Sequence, residues 1–403
     1  MTNGVETDAG EASATPWAER LDRPGPKRVL ALDGGGVRGA LTIGILHEME
    51  RHLRCKSGRP DLVLSDYFDL IGGTSTGAII AAGLALGRTT QDIESLYRDM
   101  GPSIFRRVLH RLPGFAARFN PLHLERALVD QLGPGTLGNA AWRCGFCAVA
   151  KRVDTGSSWV ISNSPRSKYW NGDPDETELG VPDHQRSVTP NRDFPIAKVV
   201  QASAAAPFFF DLVKIEVERG KPGVFFDGAI TPHGNPSLQL AMSALIPDYG
   251  FGWRAGEDEL LIISVGTGAV RPRKPGWTTP PLLAIWKALQ ALMSVAYDNS
   301  QLAITLLQWL GSTPDPVSVN SEIGGVQNAR PAGVRPFWSF QRYDAPLEQG
   351  WLRTVLGIEC STAEIGSLQK LDASGNIPKL FEIGRIAGKK LLADAHFPKA
   401  FDV

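Results

Sequence analysis

Short apolar runs that end in glycine, each followed by apolar residues at helical spacing, recur through the first quarter of the chain. Arg28-Val29-Leu30-Ala31-Leu32 is one such run; it ends in Asp33-Gly34-Gly35-Gly36, after which Leu41, Ile45, Leu46 and Met49 fall on one helical face. Tyr67-Phe68-Asp69-Leu70-Ile71 repeats the pattern as a predicted strand, with Gly72 and Gly73 as the turn. Ala78 to Leu86 then reads as a buried helix stopped by Gly87. Alternating β and α units predict a three-layer α/β/α fold with a mainly parallel central sheet.

Further strands are expected at Cys144 to Val153, Ser158 to Ser162, Val224 to Asp227 and Leu260 to Val265, the last an unbroken apolar run suited to a strand covered on both faces. Two polar, proline-rich stretches, from about Pro165 to Arg192 and from Gly311 to Pro336, have the length of lids or binding loops. Pro280 to Leu310 carries a long helical pattern with a wide apolar surface, and shorter helices are expected at Glu364 to Leu371 and Pro378 to Asp394. No internal repeat is visible. The reading divides the chain into a flexible tail (1–26), a catalytic domain (27–275) and a helical C-terminal region (276–403) that serves as lid, packing or regulation.

Composition narrows the picture. A chain of 403 residues that is 43% hydrophobic can bury a substantial core, in one large or two ordinary domains. Lys plus Arg and Asp plus Glu are equal at 42 each, so no global field draws in a nucleic acid polymer, and any contact with an anionic membrane must come from a local patch. Four cysteines do not make a disulfide framework. Cys144-Gly-Phe-Cys147 has redox or zinc spacing but no second pair nearby, and its flanks read as a strand. The acidic, polar N-terminus lacks the apolar core of a signal peptide, and the longest apolar stretch falls far below the ~20 residues of a membrane span. A cytoplasmic protein, peripheral to the membrane, is the expectation.

The chemistry concentrates in three segments. Gly73-Thr74-Ser75-Thr76-Gly77 sits between a strand and a helix, where a Gly-x-Ser-x-Gly pentapeptide forms a nucleophile elbow that holds the serine hydroxyl clear of the sheet. An ordinary glycine-rich turn or a phosphate cradle would use similar letters. Asp33-Gly34-Gly35-Gly36-Val37-Arg38-Gly39 opens a helix with several unblocked amides, as an oxyanion site needs, and Arg38 adds positive charge; the Gly-Lys-Ser/Thr ending of a P-loop is missing. Asp227, in Phe225-Phe226-Asp227-Gly228-Ala229 at a strand end, can take the serine proton, although Asp-Gly pairs also serve as plain turns. A Ser-Asp-His order remains available through His233 or His396, neither with the flanks of a triad histidine.

Taken together, DGGGVRG, GTSTG about forty residues later and FDGA well downstream resemble the patatin-like phospholipase family, also seen in the catalytic domain of cytosolic phospholipase A2. The resemblance extends in looser form through Gln201-Ala-Ser-Ala-Ala-Ala-Pro207 and Ser264-Val-Gly-Thr-Gly268, and so covers roughly Arg28 to Gly268. It implies that Ser75 is the nucleophile and Asp227 its base in a dyad without histidine. It also implies that Gly34, Gly35, Gly36 and Arg38 form the oxyanion loop, and that no metal or cofactor takes part. The expected substrate is a phospholipid or another lipid ester.

Phe105-Arg106-Arg107-Val-Leu-His-Arg111-Leu112, followed by Phe115, mixes basic and apolar residues and is the expected site of membrane docking, unless it is an ordinary amphipathic helix. Two alternatives to a phospholipase A type enzyme share the dyad. One acts on soluble esters or thioesters; the other is a signalling or antiviral effector held silent until a small ligand or partner orders a loop.

Overall fold

The computed structural model describes residues 16–104, 121–207, 209–271, 284–326, 329–330 and 332–403. Eight strands among these residues form one sheet: β1 (Lys27–Leu32), β2 (Leu70–Thr74), β3 (Gly145–Arg152), β4 (Ser158–Ser162), β5 (Val213–Glu218), β6 (Lys221–Asp227), β7 (Leu260–Val265) and β8 (Ser339–Tyr343). The order across the sheet is β5-β6-β3-β2-β1-β7-β8, with β4 paired to β3. Strands β3, β2, β1, β7 and β8 run parallel, whereas β4, β5 and β6 add antiparallel pairs.

The helices are α1 (Pro16–Asp22), α2 (Gly39–Ser57), α3 (Leu64–Tyr67), α4 (Thr76–Ala85), α5 (Thr90–Ile104), α6 (Pro121–Leu132), α7 (Pro174–Glu178), α8 (Ile196–Ser203), α9 (Ser237–Leu245), α10 (Ala284–Leu310), α11 (Gln349–Trp351), α12 (Thr362–Leu368) and α13 (Ile377–Leu391). Successive strand residues face opposite sides of a sheet, and two neighbours on β2 show the layering. A side chain at Gly72 would meet Leu240 of α9, and one at Gly73 would run into Gly77 of α4. Helices therefore cover both faces, and β1, β2 and β7 are buried almost throughout.

Strand β2 begins three residues later than the sequence pattern suggests, because Leu64–Tyr67 winds into α3, and Gly72 and Gly73 are strand residues rather than the turn. Within the expected tail (1–26), residues 16–22 form helix α1, and residues 1–15 lie outside the described residues. Trp17 and Leu21 are buried, and the Arg20 guanidinium bonds the carbonyls of Asp66 (2.9 Å) and Phe68 (3.1 Å) and pairs with Asp69 (3.3 Å). Cys144 and Cys147 are buried, unbridged thiols in and beside β3, and burial pushes the Cys144 thiol up to about 12, far from the thiolate that redox or metal chemistry uses.

The part of the chain after residue 275 is more than a helical cover. Strand β8 extends the central sheet, and α13 lies against α2 so closely that a side chain at Gly384 would collide with the Leu41 carbonyl. Because α2 follows directly on the Gly34–Gly36 loop, the C-terminal elements bear on the site from behind.

Candidate active site

Two strands that approach each other along β3 bring the central pair together. Strand β2 runs parallel to β3 and its last pairing is Thr74 with Val149; β6 runs antiparallel and its last pairing is Asp227 with Ala150. Since β4 occupies the other edge of β3, β6 continues on the side that β2 vacates. The carboxyl-terminal ends of β2 and β6 therefore meet head to head.

Ser75 lies just beyond the end of β2, with φ 56° and ψ −125° at the entry to α4. Among the described residues only Val326 shares a positive φ without being glycine. Such a backbone costs about 1–3 kcal/mol and persists only where the surroundings hold it. They do so here: the Ser75 amide donates to Ser203 Oγ (3.0 Å), and the Ser203 hydroxyl donates to the Val149 carbonyl (2.6 Å). The glycines on either side allow the close turn, since a side chain at Gly77 would strike the Leu32 carbonyl. Thr74 anchors the neighbouring loop by donating to the His233 carbonyl (2.6 Å), and the Thr76 hydroxyl bonds that of Tyr97.

The Ser75 hydroxyl donates to Asp227 Oδ2 at 2.6 Å, while Asp227 Oδ1 accepts the Ala229 amide at 2.7 Å. Asp227 is 2% exposed. Burial pushes its carboxyl up to about 7, and the hydrogen bonds from Ser75 and Ala229 only partly offset that rise. The carboxylate is thus far more basic than an exposed aspartate and can accept a proton near neutrality.

The glycine loop lies against Ser75: a Cβ on Gly34 would stand 3.2 Å from the Ser75 Cβ. Its four expected members separate into two kinds. The Gly34 amide is already engaged by the Gly234 carbonyl (3.0 Å), and the Gly34 carbonyl accepts the Thr267 hydroxyl (3.0 Å). Arg38 is buried and donates to the Gly268 carbonyl (3.0 Å), so its guanidinium braces the loop. Among the described residues no partner occupies the amides of Gly35 and Gly36, which leaves these two to receive an anion. Gly34 has no free amide, whereas Arg38, which also lines the cavity, holds the loop through Nε and Nη1.

Neither histidine bonds to the pair. His233 serves the site through its backbone carbonyl, and His396 lies 2.8 Å from the Tyr343 hydroxyl through Nδ1. The Phe105, Arg106, Arg107, Arg111 and Phe115 segment lies outside the described residues. Ser203 and Ala205 are site residues that the motifs did not single out. Ala205 accepts the Asp227 amide (3.0 Å), so one small-residue segment holds both members of the pair. Their only signal was the small-residue run Gln201 to Pro207, which begins in the last turn of α8.

Ser75 and Asp227 open into a cavity of about 280 Å³ with apolar walls, among them Ile79, Leu96, Phe210, Leu292 and Ile304. Helix α10 contributes one wall, and on its other faces Val295 and Leu302 are 54% and 57% exposed. A hydroxyl, a basic carboxylate, two free amides and an apolar chamber suit attack on an acyl carbonyl attached to a hydrocarbon chain.

The family model for patatin-like phospholipase matches residues 30–240, more than half of the chain. A cUMP-AMP-activated phospholipase of Escherichia coli is 30% identical over 276 residues, which is 68% of this chain and 74% of that protein. A cGAMP-activated phospholipase of Escherichia coli (strain TW11681) is 51% identical over a shorter span of 85 residues, 21% of this chain and 24% of that protein. The solved structure of human GIVD cytosolic phospholipase A2 aligns over 92% of this chain and 60% of its own, at 13% identity and a TM-score of 0.43, a likeness that adds no weight of its own. From the extent of the family match and of the first relative, the chain belongs to the patatin-like phospholipase family.

Proposed function

We propose that this protein is a lipid acyl hydrolase of phospholipase A type that works through the Ser75–Asp227 dyad. The observation that carries this reading is the 2.6 Å hydrogen bond from the Ser75 hydroxyl to a buried carboxylate at the edge of an apolar cavity. Asp227 takes the proton from Ser75 Oγ as that oxygen bonds to the acyl carbon, and the carbonyl oxygen becomes an oxyanion facing the Gly35 and Gly36 amides. Collapse breaks the ester bond, and the proton passes from Asp227 to the departing alcohol. Water then gives its proton to Asp227 and attacks the acyl-enzyme; collapse returns that proton to Ser75 Oγ and releases the fatty acid. The cycle is balanced without a metal or cofactor.

Ligand control is a second reading of the same site. The relatives named as cGAMP- and cUMP-AMP-activated phospholipases favour it, as does α10, which carries both a wall of the cavity and exposed apolar residues. A helix in that position controls access if it moves. Contact with a membrane surface belongs to this picture too. Val295 and Leu302 offer exposed apolar area on the faces of α10 turned from the cavity, in addition to the basic and aromatic segment from Phe105 to Phe115. No helix among the described residues is long and apolar enough to cross a membrane.

Phospholipids labelled separately at the two acyl positions test the reaction directly, assayed with and without cGAMP or cUMP-AMP. Ser75→Ala and Asp227→Asn should each lower turnover by at least about 10³-fold; fatty-acid release that survives either change rules out the dyad.

The raised Asp227 carboxyl makes two further predictions. Hydrolysis of a soluble ester should rise with pH and level off above an inflection near 7, because only the ionised carboxylate accepts the Ser75 proton. The folded group holds its proton up to about 7 and an unfolded one only to 3.8, so the wild type loses stability relative to Asp227→Asn across that interval. Denaturation of the two proteins should therefore give similar midpoints near pH 4 and a lower one for the wild type at pH 8. A pH-independent difference contradicts the assignment.

Val295→Asp with Leu302→Asp probes the membrane contact. Sedimentation with phospholipid vesicles should weaken by at least about tenfold, given the apolar area removed, while turnover of a soluble short-chain ester stays near the wild-type rate. Unchanged vesicle binding places the contact elsewhere.

A further inference from the structure

Every group around the two free amides of the glycine loop is held, and much of the holding comes from beyond the family-matched segment. Asp33, which shares a peptide bond with Gly34, donates its amide to the Val265 carbonyl (3.1 Å) and presents both carboxylate oxygens to Arg342 of β8. Arg342 Nη1 donates to Asp33 Oδ1 at 3.0 Å and Nη2 to Asp33 Oδ2 at 2.6 Å, the two-pronged geometry that fixes direction as well as distance. The same guanidinium reaches Ser264 Oγ (2.7 Å) and Asp344 Oδ2 (3.2 Å).

Asp344 carries the brace onward. Its Oδ1 accepts the Gly268 amide (2.8 Å), and the Gly268 carbonyl in turn accepts Arg38, on the far side of the loop. The Leu371 carbonyl takes the Val37 amide (3.0 Å). Asp33, Gly34, Val37 and Arg38 are thus all engaged, and Gly35 and Gly36 stand between them.

We propose that Arg342 is a positioning residue for ester hydrolysis: by gripping Asp33 it sets the Gly35 and Gly36 amides where the oxyanion forms. This inference rests on the hydrolase reading above. A purely stabilising role explains the pair poorly. Arg342 is 5% exposed and Asp33 8%, and a buried ion pair of this kind commonly adds no more stability than an apolar pair of equal volume. The Arg342 Nε also lies buried without a partner, a further cost. Burial raises the Asp33 carboxyl and the Arg342 guanidinium opposes that rise. What the arrangement supplies is orientation, and oxyanion donors act only when their direction is set before the charge appears.

The test compares the wild type with Arg342→Lys and with the double variant Asp33→Asn/Arg342→Met, which removes both charges of the bidentate pair and leaves Asp344 its bonds from the Gly268 and Ala345 amides. Each is checked for folding by circular dichroism and thermal melting. Two quantities are then measured: steady-state kinetics on p-nitrophenyl butyrate, and inhibition by an alkyl trifluoromethyl ketone, which adds to the serine and develops an oxyanion. For the folded double variant kcat should fall about 10²-fold, with KM within about twofold of the wild type. Ketone affinity should fall in step with kcat/KM. Lysine cannot reproduce the fork, so Arg342→Lys should lie between the two.

A folded double variant with wild-type kcat and wild-type ketone affinity overturns the proposal. So does a loss of kcat that leaves ketone affinity untouched. Failure of the wild type itself to hydrolyse the ester or bind the ketone, with and without cGAMP or cUMP-AMP, would instead remove the hydrolase reading, which separates the two failures.

Discussion

Val149 and Ala150, neighbours on β3, receive the ends of two strands that run toward each other, and the geometry of the site depends on that meeting. A parallel strand arriving from one end delivers Ser75, and an antiparallel strand from the other delivers Asp227. Backbone hydrogen bonds to a common strand set their separation, so the 2.6 Å contact does not depend on flexible side chains finding each other. The Val149 carbonyl enters twice, as a sheet position and as the acceptor for Ser203, whose hydroxyl then fixes the strained Ser75 amide. The reactive pair is built on the central sheet, where backbone pairing limits the small errors of position that cost most.

The site carries costs that the remainder of the fold must offset. Ser75 adopts a backbone that L-residues avoid, and Asp227 is a carboxylate enclosed away from water. With a carboxyl raised from 3.8 to about 7, ionising Asp227 in place opposes folding by on the order of a few kcal/mol. Those same features give a hydroxyl held clear of the sheet and a base strong enough to draw its proton. Violations of local preference gathered in one place, with the sheet core buried almost throughout around them, are what a functional site looks like energetically.

Much of this could be read from the amino-acid pattern. Strands β4 and β7 fall where periodicity places them, and the described residues 284–310 of the long helix lie within its expected span. The motifs mark Ser75, Asp227 and the glycine loop because short glycine-rich segments at strand ends have few other physical uses. Strand β5 was missed although Val213-Lys-Ile-Glu-Val-Glu218 alternates cleanly; its alternation is that of a half-exposed hairpin strand, and attention to buried runs passes over it. Strand β8 was less legible, since Gln341 and Arg342 argue against a buried strand until Asp33, Ser264 and Asp344 are seen to pair with the terminal nitrogens of the arginine. The separation of Gly34 and Arg38 from Gly35 and Gly36 could not be read at all. It depends on residues far away in sequence: Gly234 takes the Gly34 amide, Thr267 donates to the Gly34 carbonyl, and Gly268 accepts the Arg38 guanidinium.

The central claim is that Asp227 alone activates Ser75, without a histidine. The most direct measurement is the site and rate of covalent modification by a fluorophosphonate, followed by intact mass and peptide mapping. The account predicts a single adduct on Ser75, formed at near wild-type rate in His233→Ala/His396→Ala and suppressed in folded Asp227→Asn. An adduct on another residue, or loss of labelling in the histidine variant alone, would contradict it.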